Sequence, residues 1–395
     1  MRRKRQKQDI AAPRGKRQDA WFRACTACAV LLGLWLLFHG ISDAGAPKNP
    51  YVKDQAKTST ALRVHFEQTL ARPAPAKRLF VEGYFMRAAV AAHEVLGAAA
   101  AGLDTGAGLE RARTFADSLV ARQLPHGYWP IGYATSWLAD MGAALGVFVA
   151  LEPHVDSTRV RAYVGSVTRF LRAIEGDGFL LSSGALGVGM PVTDSGVTKA
   201  WRSDVGWADD PYLVSTALVG IELQAWLFRH TGELVHRQRA LQALAFTLGA
   251  IEKDGSLPSI ARGEGVYTVA AYVEEGWMAA DLLLGDPEVL ARLRQALPPH
   301  VAWLLRTQKS DGAWESSVRG DFARTPGIVD FLIWYDQRCE SREDVRAAVR
   351  KASRILTEPK RWQEHGLEES GDTIEVMRAL LGRPLAALVA GRPVL

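Results

Sequence analysis

The 395-residue chain has only three cysteines. Cys25 and Cys28 stand at the head of an uncharged stretch and Cys339 stands alone, so the main body has no disulfide framework. Cys28 also lacks the Leu and small residues that would precede a lipid-modified cysteine. No run alternates apolar and polar residues long enough to make a convincing strand, which argues against a sheet-based fold. A P-loop, a Gly-rich dinucleotide fingerprint and a His-Glu-x-x-His motif are all absent, so the nucleotide-binding and zinc-protease classes marked by those motifs are excluded. Net positive charge is confined to one end. Nine of the 48 Lys and Arg residues lie within 1–23, against Asp9 and Asp19, so that of the net +5 the tail holds +7 and the other residues −2. The body therefore carries no mark of a nucleic-acid binder.

What is present begins with that tail. Residues 24–42 carry no formal charge, and 19 residues make a helix of about 28 Å at ~1.5 Å per residue. The apolar centre Val30–Phe38, with its flanks, is long enough to enter a bilayer as a signal-anchor. The basic run before it places residues 1–23 in the cytoplasm and residue 43 onward outside, in a single-pass inner-membrane protein with a periplasmic domain. A cleaved signal peptide is the rival, since Ala44-Gly45-Ala46 has a small-x-small pattern; Pro47 and the long basic region count against it. Residues 43–78 read as a linker and a lead-in helix, stopped by Arg72-Pro73-Ala74-Pro75.

From 79 to 395 two kinds of helix alternate. One is apolar nearly all round: Leu79–Leu96, Ser136–Leu151, Pro211–Phe228, Val266–Leu284, Pro326–Tyr335 and Asp372–Leu381. The other is amphipathic: Leu109–Gln123, Ser157–Ile174, Glu233–Glu252, Pro287–Gln308 and Glu343–Leu356. A helix apolar on every side is covered on every side. An inner ring of buried helices within an outer ring satisfies both, giving an all-α (α/α)6 toroid of about six helical hairpins preceded by one transmembrane helix. An open superhelical array is the alternative, but its inner helices would need one polar face. Inner-to-outer turns are short (His230-Thr231-Gly232, Gly285-Asp286). Outer-to-inner loops are long (124–135, 176–210, 253–265, 309–325, 358–371). All the long loops, and with them the functional end, should lie on one end of the ring.

A recurring turn supports the repeat. It is clearest at Gln308-Lys309-Ser310-Asp311-Gly312-Ala313-Trp314, with fainter copies at Gln123–Trp129, Glu175–Phe179, Glu252–Leu257 and His365–Leu367. The turn glycines are then 127, 178, 255, 312 and 366. Such Gln-x-x-Asp-Gly-x-Trp turns resemble the QW-type repeats of the squalene-cyclase and protein-prenyltransferase toroids. Gln123–Pro130 is similar to a stretch of toroidal pectate lyases and other polysaccharide-active toroids. The resemblance spans most of 79–381, implies the toroid, and leaves the activity open. The cyclase Asp-x-Asp-Asp motif is missing; the nearest stretch is Asp204-Val-Gly-Trp-Ala-Asp209-Asp210. Asp336, Cys339 and His365 have the wrong spacing for a prenyltransferase-like zinc site, so no metal and no cofactor is expected.

Candidate chemistry concentrates in the long loops. The stretch Trp201-Arg202-Ser203-Asp204-Val205-Gly206-Trp207-Ala208-Asp209-Asp210-Pro211-Tyr212 has the makings of a sugar subsite: Trp201, Trp207 and Tyr212 to stack on pyranose rings, Arg202 to bind acid groups, and Asp204 and Asp209 as acid or base. The plain alternative is a capped helix start, with Asp209 or Asp210 before Pro211. Asp140 and Asp330 are carboxylates early in apolar helices, costly unless paired or turned to a central cavity. Tyr128 and Tyr267 are placed to line the mouth, Tyr267 as a possible acid/base. Arg262 and Arg319, with Arg202, could converge on a carboxylate-bearing substrate such as a uronic-acid chain. The expectation is a membrane-anchored extracytoplasmic protein acting on an envelope or extracellular polysaccharide as lyase, hydrolase or epimerase. A non-catalytic scaffold in an envelope assembly is the alternative, and an isoprenoid or lipid-linked enzyme a third. The sequence names no protein partner.

Overall fold

A computed structural model describes residues 49–70, 79–96, 105–130, 137–189, 192–193, 196–197, 206–207, 209–258, 266–314, 324–358 and 380. The expected anchor 24–42 and the last inner helix, 372–381 apart from Leu380, lie outside the described residues. Among those described, no helix is long and apolar enough to cross a membrane. Residues from Asn49 onward form one compact unit.

The helices alternate as their composition requires. The inner set comprises α2 (Leu79–Leu96), α4 (Leu138–Leu151), α9 (Val266–Leu284), α12 (Thr325–Arg338) and a composite helix. The composite is α6 (Leu213–Ser215), a π-helical stretch (Thr216–Leu223) and α7 (Gln224–Thr231). The outer set comprises α1 (Gln55–Leu70), α3 (Thr105–Arg122), α5 (Ser157–Gly176), α8 (Leu234–Gly249), α10 (Pro287–Ala296), α11 (Pro298–Thr307) and α13 (Glu343–Leu356). Pro298 begins α11, so the stretch expected as one helix, Pro287–Gln308, divides into two at that proline.

Successive inner helices meet through glycine. A Cβ on Gly83 of α2 would lie 2.7 Å from Cα of Ala144 on α4; one on Gly142 of α4 would lie 2.8 Å from Leu218 in the π stretch. One on Gly276 of α9 would lie 2.7 Å from Ala217, and one on Gly327 of α12 would lie 3.2 Å from Ala271 of α9. The first three pairs leave no room for a Cβ and the fourth leaves only a tight fit, which sets how closely the inner helices pack. The chain before α2 closes the circle. The Tyr51 hydroxyl donates to Asp336 Oδ2 of α12 at 2.7 Å, and Arg350 Nη1 of α13 donates to the Pro50 carbonyl at 2.9 Å. Ala61, Leu62 and Phe66 of α1 join the same apolar core as the inner helices.

The short turns end on left-handed glycines, Gly232 (φ 70°) and Gly285 (φ 61°). The long connections carry the recurring turn, and two copies match atom for atom. Gln123 Nε2 donates to the carbonyls of Gly127 (2.8 Å) and Ser166 (2.9 Å), and Gln308 Nε2 to those of Gly312 (3.0 Å) and Ala348 (2.9 Å). The indoles then close on the preceding helix, Trp129 to Leu119 O at 2.7 Å and Trp314 to Leu304 O at 2.8 Å.

The copy expected at Gly178 is a correction. Gly178 only terminates α5, where Phe179 N donates to Ile174 O. The equivalent turn is at Gly184, where Leu181 N donates to Ala185 O as Leu124 N does to Tyr128 O and Lys309 N to Ala313 O. The described turn glycines are therefore 127, 184, 255 and 312. The copy at Gly366 lies outside the described residues.

The expectation of no strands needs a small amendment. In the long insertion, β1 (Leu186–Gly187) pairs antiparallel with β4 (Pro211–Tyr212), and β2 (Val192–Thr193) with β3 (Gly196–Val197). The first pair is pinned to the composite helix by Leu186 N to Thr216 Oγ1 (2.9 Å) and Ser215 Oγ to Gly187 O (2.7 Å).

Candidate functional site

The inner helices place their N-termini at the long-loop end, and their polar residues face one another inside the ring. On α9, Thr268, Tyr272 and Glu275 recur at i, i+4 and i+7, one face of the helix. The opposite face holds Trp277 and Glu274, which turn to His300 in the outer layer. On α2, Tyr84 and Arg87 form the matching pair. The two helices are not neighbours in the ring, yet their side chains join across its axis. The Tyr84 hydroxyl donates to Glu275 Oε2 at 2.8 Å, and Arg87 Nη1 binds Glu275 Oε1. The Tyr84 and Tyr272 rings stack with centroids 5.9 Å apart.

Arg87 reaches this position because Gly146 of α4 has no side chain; a Cβ there would lie 3.1 Å from Arg87 Nη1 and 3.5 Å from Glu222 Oε1. Glu222 belongs to the π stretch, a widened turn of the kind that often re-aims functional side chains. Arg324, just before α12, donates from Nη1 to the Tyr272 hydroxyl at 2.7 Å and lies 4.7 Å over that ring. Arg87, Glu222 and Arg324 are all buried. Charges so placed must be matched to one another or their desolvation would be prohibitive.

Asp140 and Asp330 stand nearer the long-loop end. Each is half-buried in the first two turns of an inner helix, α4 and α12, whose neighbouring residues are almost all covered. On α12, Gly327 faces α9 and Phe331 faces Trp277 and His300. Asp330 lies between them in the same turns of α12 and is half-buried. The structure thus sets two half-buried carboxylates in the early turns of inner helices α4 and α12 and, deeper, joins Tyr84, Arg87, Tyr272, Glu275 and Arg324 in one network, with Glu222 beside Arg87. Such a set can bind hydroxyls and anionic groups, and its carboxylates can give or take a proton.

Three expected site residues are placed elsewhere. Tyr128 is fully buried in the Gln123 turn; its hydroxyl donates to Asp177 Oδ2 at 2.5 Å, and burial followed by that bond pushes its pKa up. Tyr212 is buried in β4 with its ring edge-on to Trp137 at 6.0 Å. Tyr267 stacks on Trp303 of the outer layer at 5.0 Å, away from the axis. All three aromatics fill gaps between hairpins. Trp207 is 45% exposed, and its N–H donates to Asp210 Oδ2 at 2.7 Å. Asp209 is exposed beside it. The helix starts only at Leu213, with Tyr212 at its cap position and no side-chain cap, so neither aspartate caps it. Trp201, Arg202, Asp204, Arg262 and Arg319 lie outside the described residues.

Arg87, Glu222, Tyr272, Glu275 and Arg324 were not among the expected residues. The signal that singled out Asp140, a lone charge in an apolar helix, also applies to Glu222, whereas Arg87 shares its helix with Glu82 and Glu94. Among the described residues no group of three or more His, Cys, Asp or Glu is arranged to hold a metal. Asp336 is occupied by Tyr51, Arg342 N and Arg346, and burial pushes the Cys339 thiol up to about 12.

No protein-family profile matches the chain, and no curated protein matches it in sequence. Solved structures do match in fold. An unsaturated glucuronyl hydrolase from Streptococcus agalactiae aligns with a TM-score of 0.60 at 12% identity, over 86% of this chain and 96% of that one. A sugar epimerase from a ruminal bacterium aligns at 0.57 and 11%, over 77% and 86%. A type II terpene cyclase from Scytonema, in complex with geranylgeranyl dihydroxybenzoate, aligns at 0.55 and 14%, over 84% and 98%. The chain is an α/α toroid.

Proposed function

We propose that the chain is a carbohydrate-active enzyme, a hydrolase, lyase or epimerase, acting on an envelope or extracellular polysaccharide from a membrane-anchored, periplasmic position. One observation carries this reading: Tyr84, Arg87, Tyr272, Glu275 and Arg324 join across the axis of the ring, and Asp140 and Asp330 lie in the early turns of inner helices at the long-loop end. Paired carboxylates serve acid–base chemistry on sugars, and buried Arg and Tyr groups hold hydroxyls and acidic substituents. The glucuronyl hydrolase and the epimerase among the fold neighbours act on sugars and support the same reading. The placement outside the membrane rests on the tail charge and the uncharged run 24–42 alone.

The terpene cyclase offers a second chemistry on the same scaffold. Cyclisation through carbocations is disfavoured beside guanidinium groups, and Arg87 and Arg324 both reach into the axial network. A scaffold role is favoured by a different observation, the bonds from α2 to α9, which tie opposite sides of the ring together.

The test is turnover by the full chain on a panel of acidic and neutral polysaccharides, following reducing ends and the absorbance of unsaturated products. Asp140→Asn and Asp330→Asn should each lower turnover by about 10²–10⁴, while Glu152→Gln, at the opposite end, leaves it unchanged. Turnover of an isoprenoid substrate would move the assignment to cyclase chemistry. Silence on every substrate, with partner proteins retained, would leave the scaffold.

A further inference from the structure

Away from the axis, the outer surface has a groove of about 370 Å³ between the start of α1 and α13. Lys53, Lys57, Arg350, Lys351 and Arg354 line it, against one acidic side chain, Asp54. The balance is more one-sided than the count suggests. Asp54 already serves as the helix cap, accepting from Lys57 N at 2.9 Å. Arg350 is tied to Glu343 and to the Pro50 carbonyl, and Lys351 bonds the Lys309 carbonyl. Lys53, Lys57 and Arg354 form no ion pair among the described residues. The groove is floored by hydroxyl residues, Thr58, Ser353 and Thr357, all buried. Cations scattered over a convex helix face are ordinary solvated charge. Cations gathered round a concavity, with their acidic neighbours spent elsewhere, make a site for an anion.

The chain itself says where that anion lies. The uncharged run ends at Ser42, and the backbone is already fixed on the body at Asn49 and Pro50, where Asn49 bonds the Leu380 carbonyl and Pro50 accepts from Arg350. The six residues 43–48 between them span about 20 Å at full extension. If residues 24–42 enter a bilayer, the wall of the groove is tethered within that distance of its surface, where anionic lipid headgroups attract basic side chains.

We propose that the groove between α1 and α13 holds the phosphate of an anionic phospholipid headgroup, docking the toroid on the membrane that its N-terminal segment enters. This rests on the anchor reading and is independent of the carbohydrate reading.

The test uses the full chain in lipid nanodiscs, either neutral phosphatidylcholine or phosphatidylcholine with phosphatidylglycerol, and reads amide hydrogen exchange over residues 53–58 and 350–357. Anionic discs should slow exchange several-fold in both segments. Salt at about 0.5 M should reverse the effect, and Lys57→Gln with Arg354→Gln should abolish it without changing the melting temperature. Lys53→Glu alone, further from the core, should weaken it. Equal exchange in the two kinds of disc overturns the proposal. So does equal protection by inorganic phosphate in neutral discs, which would make the groove a site for a soluble anion. Flotation with neutral vesicles reads the anchor separately. Failure there removes the anchor and the proposal together, and leaves the carbohydrate assay untouched.

Discussion

The turns at Gly312 and Gly255 have the same backbone and almost nothing else in common. In the first, Gln308 reaches forward to the carbonyl of Gly312 and Trp314 reaches back to Leu304. In the second, Ile251 stands where the glutamine would be and Leu257 where the tryptophan would be. The carbonyl of Gly255 is nevertheless met, by His300 Nδ1 from the next outer helix, at 2.8 Å. A buried carbonyl must find a donor, but the donor need not come from the motif. Where it comes from outside, it brings a new obligation. His300 Nε2 lies 2.8 Å from Glu274 Oε1, and both side chains are fully buried. One turn is closed by a neutral amide; the other has carried an ionisable pair into the core.

The largest expected effect falls on what the two turns share. Gly312 has φ 104° and Gly255 has φ 92°, a region closed to most side chains. A Cβ on Gly312 would also lie 2.7 Å from the Lys351 carbonyl, and one on Gly255 would strike the Pro299 carbonyl. Gly312→Ala and Gly255→Ala should each cost about 3–5 kcal/mol in urea unfolding. Gly176→Ala, a helical glycine whose added Cβ would meet nothing within 4 Å, should be neutral or slightly stabilising. Equal behaviour of the three variants would mean that the turns do not hold the hairpins in place.

The next effect separates the turns. Gln308→Ala leaves the carbonyls of Gly312 and Ala348 without this donor, at a cost of about 2–3 kcal/mol. His300→Ala should cost more, because it removes the donor to Gly255 and also strands Glu274 in the core. The ratio of the two losses in urea midpoint measures how much the imported pair adds.

The same contrast explains what could be read from the sequence. The alternation of apolar and amphipathic helices, the single end for the long loops, and the turns at Gly127 and Gly312 were all legible, because periodicity and motif carry them. The turn at Gly184 was not. Its stretch, Leu181-Ser182-Ser183-Gly184-Ala185-Leu186, has neither Gln nor Trp, whereas Asp177-Gly178 has the acidic-Gly look and merely ends a helix. At the candidate site, Asp140 and Asp330 were visible as isolated charges in apolar helices. Arg87 and Glu275 needed the phase of each helix about its axis and the knowledge that α2 and α9 face each other across the ring. Tyr128, Tyr212 and Tyr267 misled because an aromatic near a long loop can face the mouth or wedge between hairpins, and composition does not distinguish the two.

The smallest effect is a dependence on pH, and it differs in sign between two carboxylates. Because Gly255 O accepts from His300 Nδ1, that nitrogen carries a hydrogen, and Nε2 faces Glu274 Oε1. Burial raises the Glu274 pKa, and its bond and charge contact with His300 offset only part of the rise. The native state thus holds a proton that the unfolded chain has released, so stability from this group is complete in acid and falls as pH rises through the folded value. Glu152, at the short-loop end, is the opposite case. Burial would raise its pKa, but bonds from His230 and Trp226 outweigh that and hold it at about 2, so its contribution is present at neutral pH and is lost as pH falls toward that value. Stability curves of Glu274→Gln and Glu152→Gln against the wild type should therefore diverge in opposite directions. The wild type's advantage over Glu274→Gln shrinks as pH rises above the ordinary carboxylate range, and its advantage over Glu152→Gln shrinks only in acid. A constant gap for Glu274→Gln across the whole range would mean that folding leaves the Glu274 pKa unshifted, and that the borrowed histidine closes its turn with no more dependence on pH than a glutamine does.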